Sequence, residues 1–150
     1  MSHNNIRKLI NDELNSANMT GSLNTVPIYI NYDNEDPLDA DEIGYNPHLV
    51  CKLMPSDTYS ESLGGDIITS IGLYHIKVKV PATSSTDVME RITNALFSLF
   101  RVDRVLSEKD THGNVLFSTQ LTSPFRIYDG RRIDNWWVVP CSFEYRSDTN

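Results

Sequence analysis

The chain has 150 residues, 39% of them apolar and 22% charged, with a formal net charge of −7. That is enough for one domain with a real core. No apolar run is long enough to span a bilayer, the polar start Met1-Ser2-His3-Asn4-Asn5 is no secretory signal, and no basic face for reading nucleic acid is expected. The charge is uneven. Residues 1–66 hold three basic and eleven acidic side chains, residues 67–150 hold ten and nine, and no lysine or arginine lies between Lys8 and Lys52. Such a balance suits a surface that must not adhere to DNA.

Ile6, Leu9, Ile10, Leu14 and Ala17 recur at helical spacing, which predicts a first helix capped by Asn4 or Asn5, with Gly21 beyond its end. Val26–Tyr32 reads as a strand, Ile28, Ile30 and Tyr32 alternating with Tyr29 and Asn31. Asp33 to Asn46 is acidic and broken by Pro37 and Gly44, hence a loop. His48–Met54 is a second strand, expected to stop at Pro55, and the polar Ser56–Asp66 stretch with Gly64-Gly65 is expected to be a mobile loop.

Ile67–Ile71 opens a third strand that continues through Gly72 (a bulge or bend) to Pro81. Tyr74, Ile76, Val78 and Val80 fall on one face of it, and Leu73, His75, Lys77 and Lys79 on the other. After Thr83-Ser84-Ser85-Thr86, the stripe Val88, Ile92, Ala95, Leu96, Leu99 predicts a helix, with Asp87 and Glu90 as a capping pair. Strands at Arg104–Ser107 and Val115–Leu121 should pair around the turn Asp110–Asn114. Phe125–Tyr128 and Trp136–Tyr145 are the last strands, with Asp129-Gly130 as a turn. Trp137, Val139, Cys141, Phe143 and Tyr145 share a face, while Pro140 has no amide donor and should sit at an edge or bulge, where another subunit can add.

The order predicts an α+β fold: a mostly antiparallel mixed sheet packed against two helices. No repeat, linker or low-complexity run divides residues 1–150, so they read as a single domain. Cys51 and Cys141 fall in strands and read as small buried hydrophobes of a protein made in a reducing cytoplasm.

Catalytic and metal chemistry find little support. The acids Asp33, Glu35, Asp36, Asp39, Asp41 and Glu42 lack the central glycine and alternating ligands of a calcium loop, since Pro37-Leu38 stands in the middle. A solvated loop is the ordinary reading, and a lining for an acidic channel the sharper one. His3, His48, His75 and His112 show no ligand spacing, and there is neither a nucleophile elbow nor a phosphate loop. His75, alternating with Lys77 and Lys79, should face solvent or a partner. Of Trp136-Trp137, one ring should enter the core and the other point away, covered either by the sheet's second face or by an interface. Trp136, Pro140, His75, Lys77 and Lys79 are therefore the candidate interface residues, and no cofactor is called for.

Nearly the whole chain resembles the tail-terminator and head–tail completion proteins of long-tailed (siphovirus-type) bacteriophages. The likeness runs from the N-terminal helix through Pro27-Ile28-Tyr29-Ile30 and His48–Pro55 to Gly72–Pro81 and the helix ending at Phe100. It closes with Trp137-Val138-Val139-Pro140-Cys141-Ser142-Phe143-Glu144-Tyr145. The resemblance implies a structural virion protein, not an enzyme, at the head-proximal end of the tail. It implies a homo-oligomeric ring, usually a hexamer, that caps the tail tube protein, stops its polymerisation and docks the head connector or stopper. DNA would pass through without specific binding. Six copies at −7 would carry −42, and the acids of 33–42 are the candidate bore lining. Another connector component, a stopper or tail-completion ring, is the alternative that the same resemblance leaves open.

Overall fold

A computed structural model describes residues 3–24, 26–60, 64, 68–84 and 86–149. In chain order the elements are α1 (His3–Met19), β1 (Tyr29–Tyr32), α2 (Ala40–Ile43), β2 (His48–Ser60), β3 (Ile68–Pro81), α3 (Thr86–Leu99), β4 (Val105–Lys109), β5 (Val115–Leu121), β6 (Arg126–Ile127), β7 (Arg131–Ile133) and β8 (Trp136–Thr149). The strands form one sheet in the order β1-β2-β3-β8-β5-β4, with β6 and β7 also on β8. Only β1–β2 is parallel. The α+β reading holds, and among the described residues no helix is long and apolar enough to cross a membrane.

Both long helices lie on one face of this sheet. The stripe on α1 (Ile6, Leu9, Ile10, Leu14, Ala17) and that on α3 (Met89, Ile92, Leu96) join Tyr74, Ile76, Val78 and Val80 of β3 and Val139, Cys141, Phe143 and Tyr145 of β8 in one core. Phe143 stacks between Tyr74 (5.5 Å) and Phe100 (4.7 Å) at its centre. Each such ring contributes about 2–3 kcal/mol of burial before entropy is counted. On α3 the buried set is turned slightly from the expected stripe, with Met89 and Thr93 inside and Val88, Ala95 and Leu99 only partly covered.

Helix ends obey local chemistry, though not always at the expected residues. α1 is already helical at His3, so Asn4 and Asn5 lie within its first turn rather than capping it. Its far end is a Schellman turn: Gly21 has φ +79°, its amide donates to Asn18 O (3.3 Å), and Ser22 N donates to Ala17 O (2.9 Å). Asp87 lies in the first turn of α3, which starts at Thr86. Of the expected 56–66 loop, residues 56–60 belong to β2 instead, and 61–63, 65 and 66 lie outside the described residues. The β4–β5 hairpin forms as expected, its turn held by Asp110 Oδ1 accepting from His112 N (2.8 Å) and Asn114 N (2.9 Å).

Pro55 does not end its strand as expected, and Pro140, expected at an edge or a bulge, lies within β8. β2 continues past Pro55 to Ser60, with its register shifting between Pro55 and Asp57. β1 pairs only as far as Cys51, so β2 is an edge strand there, and Pro55 removes no ladder bond. Pro140 lies inside a central strand, opposite Lys77 of β3. Its carbonyl accepts from Tyr128 N (2.9 Å), so its ring nitrogen faces the turn between β6 and β7, where the second ladder is interrupted. A proline fits there because no acceptor is waiting. β7, absent from the sequence reading, is the strand on the far side of that gap.

Candidate interaction surface

The sheet's second face carries neither of the two long helices. Register places His48, Val50, Lys52 and Met54 of β2 on it, beside Leu73, His75, Lys77, Lys79 and Pro81 of β3. It continues with Trp136, Val138, Pro140, Ser142 and Glu144 of β8, and with Arg131 of β7 opposite Val138. All five candidate interface residues therefore share this open face.

One end of the face is covered by the chain itself. Segment 33–47 leaves β1, bonds Leu38 N to Asn31 Oδ1 (2.9 Å), turns through α2 and lays Tyr45 against Trp136. Tyr45 and Trp136 are 5.1 Å apart, and His48 meets the same indole edge-on at 4.8 Å. The Tyr45 hydroxyl donates to Asn135 O (2.6 Å). Ile43 and Val138 are buried without belonging to the helix-side core. The outer tryptophan thus has intrachain cover. Trp137, expected inside, sits at the rim of the core face, lining a hollow with Val80 and Met89, and is 39% exposed.

Beyond that cover the open face is basic. Lys52 stands directly opposite His75, Lys77 lies beside Val50 and Pro140, and Lys79 and Arg131 flank Val138. Among the described residues, no ion pair reaches Lys52, Lys77, Lys79 or Arg131. Burial pushes the His75 pKa below its ordinary value, helped by the charges of Lys77 and Lys52. Burial does the same to His48, with Lys79 adding to it against a bond to Asn46 O. Both rings are thereby held neutral at neutral pH.

The six acids divide. Asp33 is tied down: its carboxylate takes Arg7 of α1 (3.0 Å) and accepts Leu53 N (3.0 Å) where β1 has ended. Asp39 caps α2, accepting from Asp41 N (3.2 Å). Glu35, Asp36, Asp41 and Glu42 are exposed, and no side-chain bond to them occurs among the described residues. Sequence reasoning did not separate these four from the other two, since a pairing across 26 positions leaves no local signal.

Among the described residues, no three of histidine, cysteine, aspartate and glutamate gather as a metal-binding group. Cys51 and Cys141 lie on either side of Ile76, two strand spacings (about 9–10 Å) apart, too far for a disulfide. Burial pushes both thiols up to about 12, which leaves them unreactive.

The sequence profile of the phage tail terminator proteins matches residues 5–145. The chain belongs to the phage tail terminator family. A solved structure of similar fold superposes with a TM-score of 0.72 at 20% identity, over 98% of this chain and 96% of that one. At that identity the likeness speaks for the fold. Curated protein sequences give no match. As a member of this family the chain is a structural protein of a phage tail.

Proposed function

We propose that this tail terminator forms a closed ring, a hexamer, on the end of the tail tube, stops the tube's polymerisation there, and presents its other side to the head connector. The observation that carries the reading is the family match across 141 residues, from 5 to 145. A sheet face that both long helices leave open supports it, because a subunit of a ring needs a surface that its own chain does not cover. DNA passes through the bore without specific binding, in keeping with a chain of net charge −7. Glu35, Asp36, Asp41 and Glu42 are free to face that bore or the neighbouring subunit. Assembly without this protein tests the reading: tails of uncontrolled length are expected. Normal-length tails beside unjoined heads would instead make it a stopper or completion component.

A further inference from the structure

We infer that the basic strip on the open sheet face is the seat for a second copy of this chain, which inserts its own acidic segment 35–42. The inference rests on the ring reading and specifies which two surfaces meet in it. Four cations that pair with no described residue, Lys52, Lys77, Lys79 and Arg131, stand on one face. Four unengaged carboxylates, Glu35, Asp36, Asp41 and Glu42, stand on a loop that starts at the sheet's β1 edge. The two sets are equal and opposite, and every copy carries both. A strip on one copy that takes the segment of the next makes a head-to-tail contact, which closes into a ring when the rotation allows.

The charge balance also selects the occupant. A chain of −7 repels phosphates at long range, so nucleic acid is disfavoured on this strip, whereas a carboxylate segment of the same chain is always at hand. Exposed ion pairs contribute little singly, so the strip sets register and salt dependence. The apolar contact comes from Val50, Leu73 and Met54, which flank the lysines on the same face.

The test is charge reversal in the full-length chain, read by sedimentation. Lys77→Glu/Lys79→Glu should weaken ring formation at least tenfold, and so should Asp41→Lys/Glu42→Lys. A chain carrying all four changes should recover it. The wild-type ring should loosen as ionic strength rises from about 0.05 M to about 0.5 M. If a reversed pair fails to fold by circular dichroism, the neutral pair Lys77→Gln/Lys79→Gln takes its place, with weakened association again expected. A wild-type ring that the changes leave intact, or one that tightens with salt as bore-facing acids would make it, overturns the interface and leaves the ring reading standing. A wild-type chain that stays monomeric throughout overturns both.

Discussion

Gly72 lies under the ring of Tyr145: a Cβ at position 72 would come 2.5 Å from the tyrosine hydroxyl and 2.7 Å from Met54 O. The two residues are directly opposite each other on β3 and β8, on the helix-covered face. The glycine that looked like a bend in the sequence is therefore a close approach, and the register shift belongs to the facing strand at Pro55–Asp57. Gly72→Ala should cost about 2 kcal/mol and lower Tm by about 4–8 °C, because the neighbour on one side is backbone and cannot swing away. Thermal unfolding checks this, and an unchanged Tm would show that the ring moves aside freely.

Asp33 should behave unlike its acidic neighbours. Its carboxylate faces Arg7 with both side chains only about a fifth exposed, 18% and 21%, and it also satisfies Leu53 N. Asp33→Ala leaves an edge amide without its acceptor and a mostly buried guanidinium with only Asn4 Oδ1, a loss of about 2–3 kcal/mol. Asp36→Ala touches no such bond and should stay within about 0.5 kcal/mol. Urea unfolding of the two variants is the comparison, and equal midpoints would remove the structural role assigned to Asp33.

How far the sequence was legible follows from the range of each signal. The alternation through β3, the stripe of α3 and the Asp110–Asn114 turn depend on near neighbours, so they could be read directly. The prolines could not. Whether Pro55 or Pro140 breaks a strand depends on which neighbour is missing on the side its nitrogen faces, and that neighbour comes from elsewhere in the chain. β7 spans only Arg131–Ile133, too short to show a period. For the surface, the alternation placed His75, Lys77 and Lys79 together correctly. It did not show that both helices sit on the other side, nor that Arg131 joins the lysines.

Acid should weaken the fold as the pH falls below about 6.5. His48 and His75 have folded pKa values below the ordinary 6.5, mainly from burial. An unfolded chain therefore takes up protons that the folded one refuses, and stability falls as pH drops from 6.5 towards the folded values. Above 6.5 both states are neutral and the effect vanishes. The urea midpoint should fall between about pH 7.5 and about pH 5.5, and fall less in His75→Gln. Asp110 and Asp148, held low by hydrogen bonds from Asn114 N and Thr69, titrate below that window and leave it clear. A midpoint flat across the window would contradict the burial of both imidazoles.

Trp136→Ala separates intrachain packing from assembly. Its indole is sandwiched by Tyr45 and His48 and thereby pins the end of segment 33–47 onto the open face. Removing it should cost about 2 kcal/mol, less than a fully buried tryptophan because the site is only partly covered. Tyr45→Phe keeps the ring but loses the bond to Asn135 O, and should cost about 1 kcal/mol. The acidic loop is carried on this aromatic hinge, so Trp136→Ala should also weaken association more than Tyr45→Phe does. Unfolding midpoints and sedimentation measured on the same two variants decide the matter. If stability drops while association is untouched, Trp136 serves only its own subunit; if neither changes, the aromatic cover does not hold the loop.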